Sequence, residues 1–230
     1  MRKWQELITM AEYKGLPVTS DQYPLDGCAL HALYSQFHSF LGKYPRVLVV
    51  RVSLKCSRLR MSKHEVCMDV FANKLQTLLD NWLRQHANKT VCKVSLVWAL
   101  ALDGRVLVSL WFNLEAFSNV AKEAAQRLIK DWVLKAWASA MMSWPEQIRY
   151  LVKYPNPDGF IAIIPGSEHY RESISIAFYH MSSLTKQSVN EFGELTSSFH
   201  FRRGFTTWFG SKRHPQSFHC KRGNITLSPY

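Results

Sequence analysis

An α+β fold, with two long helices on one face of an antiparallel sheet, follows from three features of this 230-residue chain. Residues 46–54 (RVLVVRVSL) are β-branched and read as a strand. Residues 91–113 read as two apolar strands joined by Asp103-Gly104, a strong hairpin signal because both loop positions favour φ > 0. Two stretches, about 63–86 and about 118–141, carry apolar residues at helical spacing. With one more strand, the order from Arg46 to Tyr154 becomes β-α-β-β-α-β, the split-βαβ or ferredoxin-like arrangement.

Taken in order, residues 2–13 suit a short helix, and 15–26 (GLPVTSDQYPLD) are rich in turn formers and read as a linker. Asp26 is placed to cap a helix over about 27–42, with Leu30, Leu33, Tyr34, Phe37 and Leu41 as its stripe; Pro45 ends it. After the strand at 46–54, Ser62 is the expected N-cap of the helix at 63–86. Its inward face is read as Val66, Val70, Leu75, Leu78, Leu79 and Trp82. In the hairpin a two-residue loop pairs Leu102 with Arg105, Leu100 with Leu107 and Trp98 with Ser109. That register puts Leu96, Trp98, Leu100, Leu102, Arg105, Leu107, Ser109 and Trp111 on one face, and Val97, Ala99, Ala101, Val106, Val108, Leu110 and Phe112 on the other. The second face suits the long helices. The first is either buried by later segments or open to a ligand.

The helix at 118–141 would turn Val120, Ala124, Leu128, Trp132, Leu134 and Trp137 inward, and Pro145 closes the region. Residues 147–154 and 159–164 read as strands. A third helix is expected at 170–187, although Ile174, Ile176 and Phe178 also fit a strand. The chain therefore divides into an N-terminal helical extension (1–44), a central domain (45–195) and a basic aromatic C-terminal segment (196–230).

With 47% apolar residues, including 13 Phe, 9 Tyr and 8 Trp, the chain can build a large core, which excludes global disorder. Its net charge of +12 favours a polyanionic partner such as nucleic acid. The opening residues have no apolar run of a secretory leader, and no stretch is long enough to span a bilayer. Five scattered cysteines without a CxxC pair suggest a reduced, cytoplasmic setting.

The last 35 residues hold no Asp or Glu, but do hold Arg202, Arg203, Lys212, Arg213, Lys221 and Arg222, interleaved with Phe201, Phe205, Trp208, Phe209 and Phe218. Cations for phosphates and rings for bases are what a single-strand binder needs. The same rings could instead dock on the core. His200, His214, His219 and Cys220 have the spacing of no standard metal site.

Several segments together resemble the YagK/YfjJ-type family, which is similar to the gene-two proteins of filamentous phages (inoviruses) and is met in prophages. They are PRVLVVRVSL (45–54), WFN (111–113), EAF (115–117), AWASAM (136–141), SSLTK (182–186) and WFGSKR (208–213), in that order. The resemblance covers roughly 40–213 and implies kinship with rolling-circle replication initiators, built on a ferredoxin-like palm. In the intact enzymes a His-hydrophobic-His strand holds a divalent metal such as Mg²⁺ or Mn²⁺. A Tyr followed three residues on by Lys attacks a DNA phosphate.

Counted back from Asn113, the two His positions fall on Arg105 and Leu107, and residues 88–113 contain no histidine. The Tyr position falls on Ser183, with Lys186 retained and Tyr179 four residues earlier. The resemblance therefore implies a catalytically degenerate, initiator-like DNA-binding protein of a mobile element, needing no cofactor. Arg105, Lys186, Arg202, Arg203, Lys212 and Arg213 would contact phosphates, with Trp208 and Phe209 stacking on the bases of DNA, preferably single-stranded. Two alternatives stand beside it. One is an active single-strand nickase using Tyr179 and unorthodox ligands for a divalent metal such as Mg²⁺ or Mn²⁺, with Ser183 and Lys186 as further catalytic candidates. The other is a protein-interaction module that uses the apolar face of Trp98, Leu107 and Trp111.

Overall fold

The computed structural model describes residues 7–8, 11–19, 24–56, 64–86, 92–101, 103–155, 159–189, 195–197 and 199–202. The chain opens with short strands: β1 (Leu7–Ile8), β2 (Glu12–Tyr13), β3 (Leu16–Pro17) and β4 (Leu25–Asp26). The helix expected at 2–13 is thus replaced by extended chain at 7–8 and 12–13. β2 and β3 pair Tyr13 with Leu16 around Lys14 and Gly15, both at positive φ (49° and 78°), a two-residue hairpin loop of mirror-image twist. β1 pairs with β4, and Val18 and Leu25 are buried, so the described parts of the segment read as a linker, 15–19 and 24–26, are packed structure.

Helix α1 (Gly27–Lys43) starts as expected, with the Asp26 carboxylate accepting from the Ala29 N–H at 3.1 Å. Then follow β5 (Val47–Lys55), α2 (His64–Gln85), β6 (Ser95–Leu100) and β7 (Arg105–Asn113). A 3₁₀ turn (Leu114–Phe117) leads into α3 (Lys122–Ala140) and the short α4 (Pro145–Ile148). Residues read as a strand at 147–154 are mostly α4 and a second 3₁₀ turn (Arg149–Leu151). Only β8 (Val152–Lys153) is extended. Pro145 at the first helical position starts that turn, which outweighs the β-like composition after it. The chain continues through β9 (Phe160–Ile163), α5 (Tyr170–Ser182), a 3₁₀ turn (Ser183–Thr185), β10 (Gln187–Val189), β11 (Leu195–Ser197) and β12 (Phe199–Arg202).

The main sheet runs β12-β6-β7-β5-β8, with β9 also pairing on β5, and all neighbours are antiparallel. The fold class is α+β. Part of the segment read as a C-terminal tail is therefore an edge strand: Phe199 faces Ala99 and Arg202 faces Leu96 in register.

The hairpin register differs by one residue from the expected one. Leu100 pairs with Val106, Trp98 with Val108 and Val97 with Ser109. The loop spans three residues rather than two: the Ala101 N–H donates to the Arg105 carbonyl at 2.8 Å, and the Gly104 N–H to the Ala101 carbonyl at 2.9 Å. Gly104, at φ 76°, supplies the left-handed residue that a turn plus bulge requires. One residue of slip turns all of β6 over relative to β7. Leu96, Trp98 and Leu100 therefore join Val106, Val108, Leu110 and Phe112 on one face; Val97 and Ala99 join Leu107, Ser109 and Trp111 on the other.

The first face packs under α2 and α3, with Phe71, Leu75, Leu79, Trp132 and Trp137 in its core. On α2 the buried row is Cys67, Phe71, Leu75, Leu79 and Leu83. Val66 and Val70 are 63% and 40% exposed, because the large Phe71 sets the phase of the stripe. On α3, Ala125, Ile129 and Val133 replace the expected Ala124 as inward residues. The second face is covered by α1 and α5, through Leu30, Leu33, Phe37, Phe40, Ala177, Phe178 and Met181. Among the described residues, the apolar side chains of both faces of β5–β7 are covered. Trp98 and Trp111 are both buried, on opposite faces, so the interaction surface expected from Trp98, Leu107 and Trp111 does not exist. Cys56 and Cys92 are free thiols. Among the described residues no helix is long and apolar enough to cross a membrane.

Candidate functional site

Strand β5 changes character along the α1/α5 face. Val47 and Val49 lie in the core, but the next two residues on that face are Arg51 and Ser53. Opposite them in register stand Ser109 and Leu107 of β7. At the apolar end Trp111 closes the face, with its ring 5.4 Å from Phe37 and 5.7 Å from Phe40. Its Nε1–H is shared between Ser109 Oγ at 3.0 Å and Met181 Sδ at 3.1 Å. Beyond Met181 the cover ends where α5 ends, and a cleft of about 60 Å³ opens over the polar half of the strands. Such a volume holds a few waters or one small oxyanion.

The cleft is lined by Arg51, Ser53, Leu107 and Ser109 from the sheet, and by His180, Met181, Ser183 and Leu184 from the end of α5 and the turn after it; Pro155 stands at its side. The helix end is fastened from within. Ser183 Oγ donates to the His180 carbonyl at 2.6 Å and Thr185 Oγ1 to the Ser182 carbonyl at 2.8 Å. It is also fastened by the N-terminal strap: Thr19 Oγ1 donates to the Tyr179 carbonyl and the Thr19 N–H to Ser182 Oγ, each at 2.8 Å. These four bonds fix where His180 and Ser183 stand relative to the sheet.

Two of the sequence-derived candidates, Leu107 and Ser183, thus come together across the cleft. The others do not line it. Arg105 sits at the exposed hairpin tip, with Nε 2.5 Å from Asp103 Oδ2. There, desolvation of the Asp103 carboxyl is outweighed by the hydrogen bonds and charge of Arg105 acting together, and its pKa is lowered. Tyr179 is half-buried, its ring 5.4 Å from that of His180. Lys186 follows the 3₁₀ turn, its N–H directed to the Ser183 carbonyl at 3.4 Å, and bridges to Leu25. Arg202 lies in β12. Arg203, Trp208, Phe209, Lys212 and Arg213 lie outside the described residues, as do His214, His219 and Cys220. His200 stacks flat on Trp98 at 4.0 Å, with Glu65 at 3.7 Å, on the face away from the cleft.

Sequence reading passed over Arg51, Ser53, Ser109 and His180. A signal was present for the first two: in VLVVRVSLK the alternate positions Val47, Val49, Arg51 and Ser53 turn polar halfway, while Leu48, Val50, Val52 and Leu54 do not. Ser53 Oγ is buried and has no hydrogen-bond partner among the described residues.

A divalent metal is the cofactor that the resemblance brings with it, and the cleft does not fit one. Among the described residues its lining side chains offer a guanidinium, an imidazole and three hydroxyls, with no carboxylate. Mg²⁺ and its like take anionic oxygen ligands, and a guanidinium repels them.

The family model described as YagK/YfjJ C-terminal domain matches residues 9–200. No curated protein and no solved structure matches the chain.

Proposed function

We propose that this chain, which belongs to the YagK/YfjJ C-terminal domain family, is a DNA-binding protein of a phage-like mobile element that does not nick its substrate. The observation that carries the reading is the cleft, where Leu107 and Ser183 stand in the places that the resemblance gives to a metal-binding His and the nucleophilic Tyr. Around them are a cation and hydroxyls, groups that hold a phosphate but cannot activate it through a metal. The succession β8/β9–β5–β7–β6, with α2 and α3 together on one face, supports a ferredoxin-like palm of the initiator type. The net charge of +12 supports a polyanionic partner, and the basic aromatic residues after Arg202 favour single strands. Five scattered cysteines without a CxxC pair agree with action in the cytoplasm.

Gel-shift titration of the full chain on single- and double-stranded DNA, over a salt series, tests the binding. Retarded complexes that weaken steeply with salt are expected. A chain that shifts neither DNA at low salt would end the reading, since phosphate contacts are strongest there. Incubation with supercoiled DNA and Mn²⁺ tests the second half: nicks and a covalent adduct lost in Tyr179→Phe would replace it with the nickase reading.

A further inference from the structure

We infer that the cleft between β5, β7 and the end of α5 is an oxyanion subsite that seats one phosphodiester of a bound DNA strand, with Arg51 as its principal ligand. The inference rests on the DNA-binding reading and assigns a site to it.

Four observations carry it. Arg51 is a half-buried cation that stands with Ser53 and Ser109 on the α1/α5 face, and among the described residues lining the cleft none is acidic. Ser109 Oγ accepts from the Trp111 N–H, so its own proton is left to donate. Ser53 Oγ, in the same wall, is buried with no hydrogen-bond partner among the described residues, which leaves the hydroxyl to an oxyanion. His180 adds an imidazole, which has an N–H donor in either protonation state.

The negative end of the α5 dipole opposes an anion there, with about half a charge. Its effect is blunted because hydroxyls already occupy the last carbonyls: Thr19 and Ser182 on Tyr179, Ser183 on His180 and Thr185 on Ser182. A full guanidinium charge outweighs the remainder. Beyond the cleft the same two rows end in exposed Lys55 opposite exposed Arg105, about 13 Å along the strand from Arg51. A polyanion leaving the cleft in that direction meets further cations.

The test measures binding of a fluorescent 20-nucleotide single strand by anisotropy across a salt series, for the full chain and for Arg51→Met, Arg51→Lys and His180→Gln. Circular dichroism and thermal melting establish which variants are folded. Arg51→Met is expected to weaken binding several-fold and to lower the slope of log K against log salt by about 0.7, the increment for one single-strand phosphate. Arg51→Lys should restore most of the slope, and His180→Gln should weaken binding less than Arg51→Met. A folded Arg51→Met with unchanged affinity and slope overturns the subsite while leaving DNA binding intact. If the wild-type chain binds no DNA, the reading beneath it fails, and inorganic phosphate decides the cleft alone. A melting temperature raised by phosphate over chloride at equal ionic strength, and not raised in the folded Arg51 variants, keeps an oxyanion site with free phosphate as its ligand. No phosphate effect removes it.

Discussion

On the side under α2 and α3, β5 contributes Leu48, Val50, Val52 and Leu54 without a break; on the side under α1 and α5 it contributes Val47 and Val49, then Arg51 and Ser53. One nine-residue strand therefore faces a closed core on one side and a half-open one on the other. A closed face gains by burying every apolar side chain, at about 25 cal/mol per Å². Placing a guanidinium and an unpartnered hydroxyl in a sheet face forgoes that gain and adds desolvation cost. A fold that needed only stability would place Val or Leu there. The polar half of the α1/α5 face is thus the part of the sheet that stability alone does not account for.

The largest expected effect tests the closed face. Phe71 is fully buried and meets Trp137 edge-on at 6.0 Å. Phe71→Ala should cost about 3–5 kcal/mol of unfolding free energy, read from urea denaturation. A cost below about 1 kcal/mol would mean that the α2/α3 side repacks freely, and the contrast between the faces would lose its basis.

The chemistry of the closed face gives the next effect. Cys56, Cys92 and Tyr154 all belong to that side, and burial raises the pKa of each, Cys56 to about 11 and Cys92 to about 12. In the unfolded chain a thiol loses its proton near pH 8.5. The folded chain holds the Cys92 proton until about pH 12, so it binds more protons than the unfolded chain in between, and stability falls as pH rises across that window. Denaturation midpoints of the wild type should drop between about pH 9 and pH 12, and those of Cys92→Ala should drop less steeply. Equal slopes would show that water reaches the Cys92 thiol.

The strands and the first helix were legible in the sequence. β-branched composition marked β5, the apolar runs around Asp103-Gly104 marked β6 and β7, and Asp26 marked the start of α1. The pairing of β6 with β7 was not legible, because Asp103-Gly104 suits two- and three-residue loops alike and only the choice of Gly104 as the bulge residue sets the register. The N-terminal strands were missed because two-residue strands have no period to detect. Their one local signal is the Lys14-Gly15 turn. Of the cleft, Leu107 and Ser183 came from motif position. His180 and Ser109 could not, since what unites them with Arg51 is the stopping point of α5 over the sheet.

The smallest effect has the opposite sign. Ser53 Oγ is buried without a partner among the described residues, and leaving a buried hydroxyl unsatisfied costs about 1–3 kcal/mol. Its neighbours in register, Leu107 on β7 and Lys153 on β8, keep their backbone pairing when the side chain changes. Ser53→Ala removes the orphan and a single atom of volume, so the chain should gain up to about 1 kcal/mol, in contrast to the loss that truncation causes on the closed face. In a phosphate buffer the advantage should shrink, because a bound oxyanion would stabilise the wild type through the hydroxyl that the variant lacks. A gain that is the same in phosphate and in chloride would leave Ser53 as a packing defect and Arg51 to act without it.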